Sequence, residues 1–415
     1  MRTPPTPAPQ RRLSRDSLRS SLPLLRLLEH DGQLSQLDAA RRLAMTPGAC
    51  NLHFLRLEQE KLVHRANLVN RGGKGRPTIV WDIDRASNTF LVFIFDVPFF
   101  QAALLDFSGQ PLLEQRFDLC RARTRGDVEA AIETFTRAAL ALAARNGLRV
   151  RQVVGGFPGL LDPSDGSVRH AVNFPALDKL SLATLFDRHH LPAWSASLSL
   201  CFFFGETAGK ALDATTLVMH WDLGVGVICG RGDTVLSIQL DRDGVPEIPE
   251  VGHICIKPGG RPCPCGRHGC LEAYSGGQAM VTELAGTDIR SLGALIHALQ
   301  AGRKDALRVA RRAARTLGRS LAWPVQLMGV EQIVVTGPIS VVFSALSGAF
   351  CQGLADTLPP ALAQSLTVQA SPDPRARLRA GAFRLAKRLF LDPASMARLP
   401  RSPAQLGQEP AGPRF

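Results

Sequence analysis

The chain has 415 residues, 45% of them hydrophobic, which suits two or three domains with substantial cores. No apolar run reaches the ~18 residues of a membrane span, and the basic, proline-rich N-terminus lacks the apolar stretch of a secretory signal, so a soluble cytoplasmic protein without a membrane partner is expected. The net charge is +13, and residues 1–76 carry fourteen Lys and Arg against six Asp and Glu, a concentration that points to a polyanion such as DNA.

Residues 1–14 are expected to form a disordered basic arm, because Pro and Arg dominate and nothing there builds a core. Helical spacing starts after Asp16, a candidate N-cap, with Leu18, Leu22, Leu25 and Leu28; Pro23 bends or delays the helix and Asp31-Gly32 stops it. Ser35 caps a second helix with Leu37, Ala40 and Leu43 on one face. Thr46 caps a third, with Pro47 at its favoured first position. In that helix Leu52, Leu55 and Leu57 are expected to face inward and Asn51, His53 and Arg56 outward. Two extended stretches then flank NRGGKGRP, a basic hairpin. Over 15–84 this describes a winged helix-turn-helix, whose third helix enters the major groove of double-stranded DNA. Asn51 and His53 are the candidate base contacts, and Arg41, Arg42, Lys74 and Arg76 the candidate phosphate contacts. A protein-docking helical module is the rival reading.

From Phe90 strands and helices alternate: FLVFIFDV, a turn at Ser108-Gly109, a helix over about 127–146, then VRQVVGGF. The alternation recurs after residue 215 with LVMHWDLGVGVIC, helices over 292–317 and EQIVVTG, giving α/β organisation in two similar halves. A last helix near 374–391 precedes a Pro/Gly-rich tail, 393–415, expected to be disordered.

Nine cysteines, an odd number, argue against a disulfide framework. Three of them, Cys263, Cys265 and Cys270, share one tight loop, with His253 upstream. Three thiolates and an imidazole make a closed tetrahedral zinc set, structural because no position is left open. His268 is the alternative imidazole. A redox pair is disfavoured because C-x-x-C is absent.

The stretch EVGHICIKPGGRPCPCGRHGCLEAYSGG (250–277) resembles the signature of the ROK family (repressors, open reading frames and kinases), Glu-x-Gly-His followed by Cys-x-Cys-Gly-x-x-Gly-Cys-x-Glu. Gly75-Arg76-Pro77 is similar to the wing end of that family's regulators. The resemblance implies a two-lobed, actin-like body of the sugar-kinase and Hsp70-like ATPase type: lobe I at 88–208 plus 374–391, lobe II at 209–373. It also implies dimers or tetramers, and a cleft in which Asn173, Glu250, His253 and Glu272 hold a sugar.

Departures from the family pattern bear on function. The kinases' Asn-Asp pair, whose Asp is the general base, falls on Ser197 and Leu198, and leucine accepts no proton. Pro98, Phe99 and Phe100 crowd the first phosphate motif, with Asp96 matching its Asp only across a gap. The second motif becomes His220-Trp-Asp-Leu-Gly-Val-Gly226, where Asp222 repels phosphate, and the third is Thr336-Gly337-Pro338. Expected, therefore, is a non-enzymatic DNA-binding regulator, a repressor tied to carbohydrate genes, with zinc, no ATP, and a sugar or modified ligand. An active sugar kinase and a ligand-independent regulator working through protein partners are the alternatives.

Overall fold

The computed structural model describes residues 20–69, 78–96, 99–119, 122, 124–162, 164–171, 174–208, 214–237, 239–240, 246–247 and 250–391. The head contains three helices, α1 (Leu22–Asp31), α2 (Gln36–Arg42) and α3 (Pro47–Gln59). The expected start after Asp16 lies outside the described residues. The described helix starts at Leu22, with Pro23 in the first turn, where a missing N–H costs nothing. The Ser35 and Thr46 side chains accept from the amides of Asp38 and Ala49, capping α2 and α3.

Two facings differ from expectation. Leu37 is 41% exposed, because Ala39 and Ala40 form the buried side of α2 and let it pack closely. Leu52 is 50% exposed, because Cys50, Phe54 and Leu57 take the buried stripe of α3 and turn Leu52 to the opposite side. A three-stranded antiparallel sheet closes the head in the order β1 (Leu34–Ser35), β3 (Thr78–Ile83), β2 (Val63–Val69), with Trp81 stacked on Phe54 at 4.9 Å.

The body is built on two sheets of one plan. Lobe I uses β4 (Asn88–Asp96), β5 (Phe99–Leu105), β6 (Pro111–Asp118) and β7 (Arg149–Phe157). A small hairpin, β8 (Leu160–Leu161) and β9 (Val168–His170), follows before β10 (Ala193–Ser197). The sheet order is β10-β7-β4-β5-β6. Lobe II uses β11 (Thr215–Trp221), β12 (Val225–Arg231) and β13 (Thr234–Val235). A second hairpin, β14 (Gln239–Leu240) and β15 (Pro246–Glu247), precedes β16 (Gln332–Thr336) and β17 (Thr367–Ala370). Its order, β13-β12-β11-β16-β17, repeats lobe I: the first strand is central, antiparallel to the second and parallel to the fourth. A strand buried on both faces must be apolar throughout, and β4 satisfies this with Phe90 to Phe95.

Helix α4 (Arg125–Arg145), with a capping box at Thr124 and Asp127, and α5 (Leu182–Asp187) cover the Leu91, Phe93 and Phe95 face of lobe I. Helices α7 (Leu292–Gln300), α8 (Lys304–Met328) and α9 (Ser347–Ala355) cover lobe II. Between the sheets run α6 (Leu198–Glu206) and α10 (Pro374–Leu391), in contact with each other. One hydrophobic core joins the head residues Leu28, Phe54 and Trp81 to Phe90 and Ile94, and on through α6 and α10 to Val218 and Val334 of lobe II. Among the described residues no single helix is long and apolar enough to cross a membrane.

Candidate DNA interface, metal centre and interlobe cleft

The outward face of α3 carries Pro47, Gly48, Ala49 and Leu52, with Asn51 half-exposed beside them. His53, expected to face out, turns toward the head's own packing: its Nδ1 lies 2.8 Å from the Ser21 hydroxyl. Burial and then the neighbouring Arg56 lower its pKa. Both Arg41 and Arg42 are exposed, Arg41 lying 3.9 Å from Asp38 and Arg42 ion-paired with Asp31. Lys74, Arg76 and Asn173 lie outside the described residues. Spacing of the buried residues, Cys50, Phe54 and Leu57, would have identified Leu52 as a surface residue.

The loop after β15 brings His253, Cys263, Cys265 and Cys270 together, with one ligand atom of each within 4.8 Å of all the others. The sulfurs of Cys265 and Cys270 are 3.7 Å apart, and Cys263 Sγ lies 3.5 Å from His253 Nδ1. A Zn–S bond of about 2.3 Å gives a tetrahedral edge of roughly 3.8 Å, so the donor set fits a zinc ion. Backbone bonds from Cys263 N to Arg267 O and from Gly266 N to Cys263 O close the turn. Gly269 has φ +81°, and a Cβ on it would sit 1.8 Å from Lys257 O, so only glycine fits between the ligands. His268 is exposed and stands outside the convergent set.

The cleft between the lobes holds a cavity of about 130 Å³. Phe157, Leu198 and Ser199 line it from lobe I, and His220, Asp222 and Glu250 from lobe II. Ser197 caps α6 by accepting from Leu200 N, so Leu198 begins that helix and is buried at the cavity wall. Glu272 braces the backbone beside the cleft. Its Oε2 accepts from Val225 N at 3.0 Å, and a Cβ on Gly224 would meet the same oxygen at 2.3 Å. Burial raises the Glu272 pKa against the opposing pull of His253 and the Val225 amide. Asp96 pairs with Phe99 across β4 and β5, and Phe100 is buried between Phe95 and Phe117, while Pro98 lies outside the described residues. Nearby, Thr336 Oγ1 donates to Glu206 Oε1 at 2.9 Å, a buried bond from lobe II to α6.

The ROK family sequence profile matches residues 98–388, and a profile described as winged helix-turn-helix DNA-binding matches residues 22–63. The chain belongs to the ROK family. In this ROK chain the winged head and the actin-like body occur together. The transcriptional repressor Mlc of Escherichia coli K12 is 23% identical over 372 residues, 83% of this chain and 87% of the relative. The dual regulator NagC of the same organism is 23% identical, over 90% of this chain and 93% of its own length. The Thermotoga maritima glucokinase is 28% identical, over 52% of this chain and 73% of its own. Among solved structures, a ROK transcriptional regulator described as a homologue of E. coli Mlc superposes with a TM-score of 0.71 at 21% identity, covering 90% of this chain and 96% of that one. The Streptomyces griseus glucokinase with glucose and AMPPNP gives 0.58 at 24% identity, over 72% and 99%.

Proposed function

We propose that this chain is a sequence-specific repressor of carbohydrate-related genes, acting in the cytoplasm at the nucleoid, whose kinase-like body senses a small ligand and performs no phosphoryl transfer. The observation that carries this is the winged head built onto the ROK body through one continuous core, in a chain whose repressor relatives match over head and body together. The first turns of α3 suit the major groove: Leu52 fits a thymine methyl and Asn51 an adenine edge. Arg41, Arg42, Lys74 and Arg76 supply phosphate contacts that fix orientation.

Loss of kinase chemistry is supported by the cleft. Leu198 stands where the family's general base is expected, a loss typically worth ~10²–10⁴-fold. Asp222 lines the site where phosphate would have to approach, so ATP is not a cofactor in this reading. Zinc on His253, Cys263, Cys265 and Cys270 supplies a structural cross-link with no open position. Of the residues expected on a sugar, Glu250 faces the cavity, while Glu272 and His253 serve the adjoining loop. Lobe I is taken as 88–208 with 374–391, and lobe II as 209–373. Pairing of two chains is favoured by Trp323 and Leu327, one turn apart on α8 and 68% and 79% exposed.

Selection of genomic fragments on the zinc-loaded full chain, followed by footprinting, should yield a paired half-site whose occupancy changes with one sugar or sugar derivative. DNA binding unaffected by every sugar tried favours protein partners as the regulating signal. Sugar-dependent ATP consumption overturns the non-enzymatic reading.

A further inference from the structure

Charge sets the character of the interlobe cavity. Among the described residues that line it there are two carboxylates, Asp222 and Glu250, and no Lys or Arg. A phosphate-binding site would need the reverse. Behind Asp222 stands Asp96, whose own neighbours Arg375 and Arg116 only partly offset the effect of burial. Burial and then the Asp96 carboxylate push Asp222 up to about 7, with the Leu223 amide opposing. Beside it, burial pushes His220 down to about 4, so the ring is neutral at pH 7. Its Nε2 is sealed from solvent, has no hydrogen-bond partner, and lies 3.9 Å from Asp222 Oδ2. The Asp222 carboxylate at the cavity wall has no cationic side chain beside it among the described lining residues and can take a donor from a ligand.

We propose that this cavity takes a small, unphosphorylated amino sugar, its ammonium group seated on the Asp222 carboxylate beside the His220 ring. The proposal rests on the sensor reading above and names its ligand class. Leu198, Phe157 and Pro158 supply the apolar wall against which a sugar ring packs, and Ser197, Ser199 and Glu250 supply partners for hydroxyls. At about 130 Å³ the cavity is too small for a nucleotide. A metal ion is the competing cation. However, the described His, Cys, Asp and Glu side chains converge at metal-binding separations only at the zinc loop, and not here.

The test is calorimetric titration of the zinc-loaded full chain with glucosamine, galactosamine and mannosamine, each beside its parent hexose and its 6-phosphate. One amino sugar is expected to bind at least tenfold more tightly than its hexose at pH 7. Lowering the pH to 5.5 should weaken it by roughly tenfold as Asp222 takes up a proton. Asp222→Asn should erase the preference while zinc content stays near wild type and the melting temperature at pH 7 does not fall. Because that residue is buried, Glu250→Gln at the exposed rim serves as a second variant and should weaken the amine more than the hexose. Equal affinity for hexose and amino sugar overturns the ammonium seat and leaves sugar sensing intact. Tighter binding of a 6-phosphate, or Asp222-dependent binding of magnesium alone, also overturns it. If no sugar of any kind binds, the sensor reading itself falls.

Discussion

The crossing of α6 and α10 offers a sharp test of how the molecule is held together. Gly205 on α6 and Gly381 on α10 each face the other helix's backbone. An added Cβ on Gly205 would lie 1.9 Å from Arg377 O, and one on Gly381 would lie 1.7 Å from Cys201 O. The helices would have to part by roughly 1.5 Å to restore ordinary contact, in an interior packed as densely as a crystal. Overpacking costs up to about 3 kcal/mol, and backbone atoms cannot swing aside as a side chain does. Against this, Ala gains about 1 kcal/mol over Gly in helix propensity. The net for Gly205→Ala or Gly381→Ala is a loss of about 2 kcal/mol, or roughly 4–8 °C in melting temperature for a lobe-sized cooperative unit. Gly348→Ala in α9 is the control, because no atom lies within 4 Å of its added Cβ, and it should be neutral or stabilising by up to about 1 kcal/mol. Thermal melting of the zinc-loaded variants decides the matter. If Gly205→Ala melts with wild type while Gly348→Ala behaves as stated, the crossing is not packed as described.

Three further outcomes are expected. Ala44 ends α2 with φ +52°, a left-handed conformation that costs a non-glycine residue roughly 1–2 kcal/mol, so Ala44→Gly should stabilise the head by about 1 kcal/mol in urea unfolding. Cys265→Ala should reduce bound zinc, measured by elemental analysis, to well below one ion per chain and lower the melting temperature; full zinc content would exclude Cys265 as a ligand. Asp222 and His220 oppose one another in acid. Asp222's folded pKa, about 7, is above its unfolded 3.8, so its contribution is fully present at low pH and fades as pH rises toward 7. His220's folded pKa, about 4, is below its unfolded 6.5, so its contribution is present above 6.5 and fades as pH falls toward 4. The two slopes cancel between about 4 and 6.5. Asp222→Asn should expose the histidine alone, giving stability that climbs with pH over that window by up to about 1.4 kcal/mol per unit. A flat profile in the variant would refute the buried-neutral histidine.

How much of the molecule is legible in the sequence follows from how local each feature is. The zinc loop is legible because its three thiols lie within eight residues and its turns demand glycine at Gly266 and Gly269. The head's second and third helices are legible because Ser35 and Thr46 announce their own caps. The facing of those helices is not, because alanines at 39 and 40 can form a buried side as well as leucines do. Hydrophobicity alone therefore misplaces Leu37 and Leu52. The charge of the cleft is only half legible. Asp222 is recognisable as hostile to phosphate within its own motif. Its tie to Asp96, a strand end 126 residues earlier, and the orphaned Nε2 of His220 exist only once the two lobes face each other.

The position of α10 explains why a ligand in the cleft can reach the head. Lys387 pairs with Glu29 of α1, and Arg26 donates to Leu391 O at 3.2 Å, so the C-terminal end of α10 is part of the head's support. On its other side Arg384 and Arg388 bond Asp233 in the β12–β13 turn of lobe II. Lobe II is also tied to α6 and α10 by buried side chains, Val218, Ile228 and Val334. Head, lobe I and α10 share buried apolar side chains, Leu28, Phe90 and Leu389 among them, and separating them exposes that surface to water. The Asp233 pairs are half-exposed, and such pairs are typically worth only ~0–1 kcal/mol. A change of lobe angle therefore loads that shared core as well as the Asp233 pairs, and through α10 it reaches the head. In a pair of chains held together through lobe II, that rotation changes the separation of the two heads, and with it the fit to two half-sites. A ligand contributes only through its preference for one lobe angle over the other, so the contacts that matter are those reaching both walls, Leu198 and Ser199 on one side and His220 and Asp222 on the other.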